Sequence, residues 1–524
     1  MRKTSLAVRT DKVQTVRSDM IYGQFIEHFH RQIYGGVYDP ESPFADEDGF
    51  RTDVLEAMRR IKVPILRWPG GCFVSSYHWK KAVGPVRTPF FDKAWRLEDP
   101  NSFGTDEYVK LCRKIGCEPY ICTNAGTGTA EEMSDWLEYC NLADEGEYAR
   151  LRIANGYKEP FGVHYWSIGN ENYGAWEIGA WESHDWARLV LESAKMMKHV
   201  DPTAQLSAAA ISDPEWNFNL LQAAGRHLDW ISLHAYWNLM PNENVFATYT
   251  QSMACTEDLE RDIRKTRGLL TAFGLEKKIK IAFDEWNLRG WHHPGVHTVE
   301  QAVNKEDYIT PRDKNDRNQD YTMADAVFTA CFLNTLNRNS DIVGMANFAP
   351  VVNTRGCIFT YDGGIVLRST YHVFDLYVNH MGDEILESGL SGAEKMDVVS
   401  KEGRAVKVDA IDVLATRRSS DGILAVAAIS KLPEEEQEIA VRAAELTGFG
   451  RESAVPGECA GTAAKRPEDY KEYRVLTVNG ESTESYNDVG HEGVTLTEGE
   501  WKPLADGEAR VILAPHSVNV IQIR

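Results

Sequence analysis

Between residues 20 and 380, short apolar runs alternate with longer stretches whose apolar positions recur at helical spacing. The short runs read as strands at Ile21–Ile26, Pro64–Trp68, Glu118–Thr123, Tyr165–Ile168, Gln205–Ala209, Trp230–His234, Lys280–Phe283 and Ile342–Asn347. Helices are predicted over Thr52–Ile61 and Thr105–Ile115, each opened by a threonine N-cap, with Gly116 closing the second. Further helices are predicted over Glu131–Leu142, His184–Val200, Glu257–Phe273, Tyr321–Asn337 and Ser369–His380. The linker after the fifth strand is less regular, and Trp216–Ala224 is its best helix.

Strict alternation of eight strands with helices predicts an α/β fold whose parallel sheet closes into a (β/α)8 TIM barrel. After about residue 385 the texture changes. Ala405–Leu414, Ile423–Ile429, Gln437–Val441, Tyr473–Val478 and Arg510–Ile523 are rich in Val and Ile, and Gly, Asn, Asp and Ser punctuate them. They predict a C-terminal antiparallel β-sandwich, jelly-roll-like, joined by the opening strand Ser5–Val8. The expected division is a catalytic barrel over 18–384 and a sandwich made of 1–17 plus 385–524. The acidic run Glu434–Glu438 reads as a solvated loop.

A chain of 524 residues is too long for one compact core. Its formal charge of -21 repels phosphate backbones and anionic lipid, so neither nucleic acid nor membrane is an expected partner. Met1 to Met20 hold no apolar run of signal-peptide length, and no apolar run elsewhere reaches membrane-spanning length. The nine cysteines follow no disulfide framework, and Cys112, Cys117, Cys122 and Cys140 fall in elements where buried free thiols are expected. A reducing, cytoplasmic location is the corresponding expectation.

In such a barrel, chemistry gathers at the C-terminal ends of the strands, which here carry Glu27, Arg67, Asn170, Glu171, His234, Tyr236, Glu285 and Asn347. Two ends stand out. Tyr165-Trp-Ser-Ile-Gly-Asn-Glu171 closes the fourth strand on a carboxylate beside an amide. Ile279-Lys-Ile-Ala-Phe-Asp-Glu285-Trp-Asn closes the seventh on another. One glutamate at a strand end is commonly structural. Two across a barrel mouth meet the need of glycosidic cleavage, and a separation of about 5 Å suits a retaining mechanism.

These two motifs resemble those of the retaining barrel glycosidases. Three further stretches narrow the resemblance to glycoside hydrolase family 51, mainly α-L-arabinofuranosidases: Tyr22-Gly-Gln-Phe-Ile-Glu-His28, Leu66-Arg-Trp-Pro-Gly-Gly-Cys-Phe73 and Ile231-Ser-Leu-His-Ala-Tyr236. The resemblance implies Glu171 as acid/base and Glu285 as nucleophile. It implies Asn170 on the sugar 2-hydroxyl, Glu27 on exocyclic hydroxyls with Cys72 against the same face, and Trp95 as a subsite wall. His234 and Asn347 complete the implied substrate contacts, and Arg67 and Tyr236 would orient Glu285. On this reading Glu171 keeps its proton and Glu285 is charged. The resemblance further implies arabinofuranose-containing oligosaccharides or polysaccharide fragments as substrates, no cofactor, and a homo-oligomer, often a hexamer.

The sequence departs from the family pattern at three places. Cys72 stands where some members have Asn, and Pro350 where Gln is common, leaving the eighth-strand contact to Asn347 or Asn353. The segment Leu288–His293 also differs. The same residues also permit other readings. His28, His30, His234, His292 and His293 could gather around a metal with Glu27 and Glu285, although no paired helical spacing supports it. A carbohydrate-binding barrel would have no use for both glutamates. An endo-β-1,4-glucanase, or an exo-enzyme for xylose or galactofuranose, would use the same pair.

Overall fold

The structure, a computed structural model, describes residues 2–239, 247–290, 316–400, 403–445 and 465–524. Eight parallel strands occur in the predicted order: Gly23–Phe25, Ile65–Trp68, Glu118–Thr123, Tyr165–Ile168, Gln205–Ala208, Trp230–Leu239, Lys280–Gly290 and Val343–Phe348. Sequence neighbours pair along the sheet except for the fifth and sixth, and the eighth pairs with the first. A bridge between Ala209 and Ser232 links the fifth and sixth, so the sheet closes into a barrel. Ile65, Tyr120, Ala282 and Met345, contributed by the second, third, seventh and eighth strands, form a small buried cluster of their own.

The helices follow the apolar spacing closely, with Thr105–Ile115 and Ser369–His380 as predicted. The N-caps differ. Thr52 and Thr105 are first helical residues, preceded by Arg51 and Gly104 as caps. The Glu107 carboxylate accepts the Gly104 N–H, while Thr105 Oγ1 accepts from Trp136 Nε1 at 3.0 Å. A threonine hydroxyl serves either as a cap or as a tertiary partner, and the indole decides here. Gly116 ends its helix in the left-handed region at φ 88°, where a Cβ would be strained.

Beyond the barrel, nine strands follow one another in a ten-stranded sheet, the tenth, Lys502–Pro503, pairing off this path. The opening strand, Arg2–Val16, extends well past Ser5–Val8. It lies between Glu384–Ser391, antiparallel, and Gln437–Ala444, parallel. The sheet is therefore mixed, not purely antiparallel. Two predicted strands also divide. Ala405–Asp409 pairs with Lys395–Val399 in a separate hairpin, whereas Ile411–Arg417 joins the large sheet. Arg510–Ile523 resolves into Glu508–Leu513 and Val518–Ile523 around Pro515. The sheet curls over one core, in which Ile439, Val511 and Leu513 meet Val426, Ile521 and Ile523. Glu434 to Glu436 are exposed as expected, while Glu438 already belongs to a strand.

The barrel helix Met323–Arg338 ties this sheet to the barrel through Asn334 Nδ2 and Arg338, which both bond the Asp412 carboxylate. Among the described residues no helix is long and apolar enough to cross a membrane. Cys112, Cys117, Cys122 and Cys140 are buried and unpaired.

Candidate active site

Glu171 follows the fourth barrel strand in a loop held by its own side chains. Gly169 has φ 72°, and a Cβ there would fall 2.1 Å from Asn172 Oδ1. That oxygen accepts the Asn170 N–H at 3.0 Å, and Asn172 Nδ2 donates to the Gly179 carbonyl at 2.9 Å. The loop so knitted holds Glu171 at φ 44°, a conformation that side chains rarely adopt.

Glu285 reaches the same space by a different device. Four residues of the seventh strand, Ala282 to Glu285, lie against three of the sixth, Ser232 to His234. This bulge breaks the alternation of faces, so that Asp284 and Glu285 both face Arg67, at 3.7 and 3.0 Å. Asp284 is fully buried and accepts from Tyr120 Oη at 2.6 Å and Ser232 Oγ at 2.5 Å. The predicted strand ended at Phe283; the structural strand runs through the bulge to Gly290.

Arg67, buried in the barrel interior, donates through Nη1 to Glu285 and through Nη2 to Asn170 Oδ1 at 2.9 Å. Tyr236 Oη donates to Glu285 Oε1 at 2.6 Å and accepts from Arg355 Nη2 at 3.0 Å. His234 lies between the two glutamates. Its Nδ1 is 2.9 Å from Glu171 Oε1 and 3.6 Å from Glu285 Oε2, and the three groups offer atoms all within 4.8 Å of one another. Trp176, a residue 44% exposed, donates through Nε1 to Glu171 Oε2 at 2.8 Å.

Electrostatics here differ from the sequence expectation. Burial pushes Glu171 up, but the His234 hydrogen bond and charge, with Trp176 and Arg67, bring it below the ordinary carboxylate range. Burial pushes His234 down, yet the charges of Glu285, Glu171 and Asp284 more than offset it and raise the imidazole. Both shifts favour a proton on His234 over one on Glu171 in the free site, where the sequence expectation put it on Glu171. Desolvation was legible in the sequence; the imidazole 2.9 Å away was not.

Glu27 is buried, and its Oε1 accepts from Trp95 Nε1 at 2.9 Å and Phe73 N at 3.1 Å. Burial, then the charge of Glu285, pushes it up to about 8. Trp95 packs on Phe29 with ring centroids 3.8 Å apart. Cys72 is buried, and its thiol is pushed well up by burial and by the charges of Glu177, Glu171 and Glu27. An added Cβ on Gly71 would sit 3.2 Å from Glu285 Oε2 and 3.6 Å from Asn170 Nδ2. Gly71 thus keeps open the space these two groups border.

Asn347 stands apart. Its Nδ2 donates to the Gln24 carbonyl at 2.8 Å, a tie between neighbouring strands, and it bonds none of the residues above. Asn353 is likewise committed, to the Arg31 carbonyl and Thr360. Ala349–Pro350 is a cis peptide. His28 is no free ligand: its Nδ1 meets Asp99 at 2.8 Å, its Nε2 accepts from Trp68 at 3.0 Å, and it stacks on Phe73. His292 and His293 lie outside the described residues, as does the end of the Leu288–His293 segment.

Four residues of the site escaped the sequence reading: Asp284, Glu177, Trp176 and Arg355. Asp284 was hidden by the strand alternation that the bulge breaks. Glu177, Trp176 and Arg355 sit in loops without periodic signal, though Trp176 and Glu177 follow Glu171 so closely that they could have been flagged.

Comparison with known proteins gives the family of the chain. Residues 57–253 match the model of the alpha-L-arabinofuranosidase 1 domain, and residues 284–517 that of the alpha-L-arabinofuranosidase C-terminal domain. The chain is 32% identical to a probable alpha-L-arabinofuranosidase C of Aspergillus clavatus, over 99% of this chain and 97% of that one. It is 32% identical to an intracellular exo-alpha-(1->5)-L-arabinofuranosidase of Acetivibrio thermocellus, over 81% of this chain and 85% of the relative. The crystal structure of the Thermotoga maritima alpha-L-arabinofuranosidase in complex with arabinose superposes with a TM-score of 0.84 at 34% identity, covering 99% of each chain.

Proposed function

Since the chain belongs to the α-L-arabinofuranosidases of glycoside hydrolase family 51, we propose that it releases terminal arabinofuranose from arabinan, arabinoxylan or their oligosaccharides by a retaining double displacement. The observation that carries this reading is the approach of Glu171 and Glu285, with carboxylate oxygens within 4.8 Å. Retaining enzymes hold their two carboxyls about 5 Å apart, whereas inverting ones leave room for a water between them.

In the first step Glu285 attacks the anomeric carbon while the glycosidic C–O bond breaks. The leaving oxygen takes a proton from Glu171. That proton is stored on His234 in the free site and reaches Glu171 along the 2.9 Å Nδ1–Oε1 contact. In the second step Glu171 removes a proton from water, the water oxygen bonds to the anomeric carbon, and Glu285 departs as carboxylate. Arg67 and Tyr236 each donate to Glu285 and aim it. Asn170 meets the sugar 2-hydroxyl, and Glu27, protonated near neutrality, offers its second oxygen to an exocyclic hydroxyl. Cys72 and Trp95 line the same pocket, with Asn347 supporting the first and eighth strands beneath it.

Exo action on α-1,5 linkages is the favoured specificity, in line with the Acetivibrio thermocellus relative. A cytoplasmic location fits that relative's description and the free cysteines. The test is a panel of nitrophenyl furanosides and pyranosides with wild type, Glu171→Ala and Glu285→Ala. Arabinofuranoside turnover should dominate, and azide should rescue both variants. Glu171→Ala should give the azide of retained configuration and Glu285→Ala the inverted one. The same configuration from both variants would overturn the assignment.

A further inference from the structure

Glu177 lies six residues beyond Glu171, is buried, and belongs to none of the motifs that carry the family resemblance. Ser75 Oγ donates to its Oε1 at 2.6 Å, and Asn170 Nδ2 donates to its Oε2 at 3.2 Å. The Cys72 thiol lies beside it, its sulfur within 4.8 Å of a Glu177 oxygen. The carboxyl thus bridges the turn after the second barrel strand and the loop after the fourth, and its partner on the fourth is the amide placed against the sugar.

The Asn170 amide has one acceptor and two N–H donors. Arg67 can only donate, so the atom facing its Nη2 at 2.9 Å is Oδ1, and the amide nitrogen faces Glu177. One of its hydrogens is taken by Glu177. The other is left on the nitrogen that borders the space over Gly71, beside Glu285. Arg67 and Glu177 therefore grip the amide from both ends and set where that second hydrogen points.

We propose that Glu177 is a positioning residue of the reaction: it fixes the flip and tilt of the Asn170 amide so that its free N–H meets the sugar 2-hydroxyl in the transition state. The assignment rests on the reading given above for Asn170. Burial also holds Glu177 up to about 8, so near neutrality it is a neutral acid and an amide is close to it in charge as well as shape. The Ser75 hydroxyl can turn to accept as readily as it donates, so a glutamine can accept from Asn170 through Oε1 and donate to Ser75 through Nε2. An alanine can do neither.

The experiment compares wild type, Glu177→Gln and Glu177→Ala on phenyl α-L-arabinofuranoside and its 2-deoxy analogue. Glu177→Ala should lower kcat on the parent substrate by about 10- to 100-fold, with KM changed less than about threefold, as for an interaction made mainly in the transition state. On the 2-deoxy substrate Glu177→Ala and wild type should agree within about threefold, because the group that Asn170 addresses is gone. Glu177→Gln should restore the parent kcat to within about threefold of wild type. The parent to 2-deoxy ratio is read within one preparation, so partial misfolding cancels. An equal loss on both substrates, or no rescue by glutamine, overturns the role. A wild type inactive on any arabinofuranoside overturns the parent reading and this inference with it.

Discussion

Replacing Glu27 by glutamine removes a titrating proton while keeping the acceptor that Trp95 and Phe73 use, since both address Oε1. In the fold this carboxyl rises from 4.5 to about 8 under burial and the charge of Glu285. The folded chain therefore binds a proton here that the unfolded chain has already lost. A raised carboxyl stabilises the fold fully below the unfolded value, and that contribution is lost as pH climbs toward the folded one. The slope approaches about 1.4 kcal/mol per pH unit inside the window, which makes about 2 kcal/mol between pH 5 and pH 7. Glu27→Gln lacks this term, so the stability difference between variant and wild type should grow in favour of the variant by about 2 kcal/mol over those two units. Glu177, also held at about 8, titrates in both proteins and cancels in the difference. Urea unfolding midpoints at pH 5, 6 and 7 measure the effect. Parallel loss of stability in the two proteins would refute a neutral, buried Glu27.

His234→Gln should move the alkaline limb of the kcat/KM profile to lower pH. A proton shared by Glu171 and His234 leaves at a higher pH than it would from Glu171 beside a neutral partner, and an unmoved limb would contradict the shared proton. Tyr236→Phe deletes the 2.6 Å bond to Glu285 and should cost about 10- to 100-fold in kcat; a variant within twofold of wild type would leave Tyr236 no orienting role. Gly71→Ala places a methyl 3.2 Å from Glu285 Oε2 and should lower activity by about 10-fold or more while leaving the unfolding midpoint nearly unchanged, which activity and thermal melts on one preparation would check.

How far the sequence carried this protein depends on the range of the interactions involved. The barrel was legible because strand and helix periods are local: Glu118–Thr123, Tyr165–Ile168 and Thr105–Ile115 occur as their patterns predict. The two site glutamates were legible because each ends an apolar run in a Gly/Asn or Asp/Trp context. The sheet beyond residue 385 was legible as strands but not as pairings. Arg2–Val16 joins segments hundreds of residues away, and only those contacts make one of its two neighbours parallel.

Tertiary structure alone decided the rest. The bulge that turns Asp284 and Glu285 to the same side arises from the register of two neighbouring strands, which no single strand encodes. The His234 imidazole is raised because folding buries it against two carboxylates, and a pKa follows distance and burial rather than residue type. Asn347, a polar residue at a strand end like the others, commits its Nδ2 to a backbone carbonyl because its neighbour strand offers that acceptor. Residue types set which groups are available to the site; only the fold sets which of them face one another.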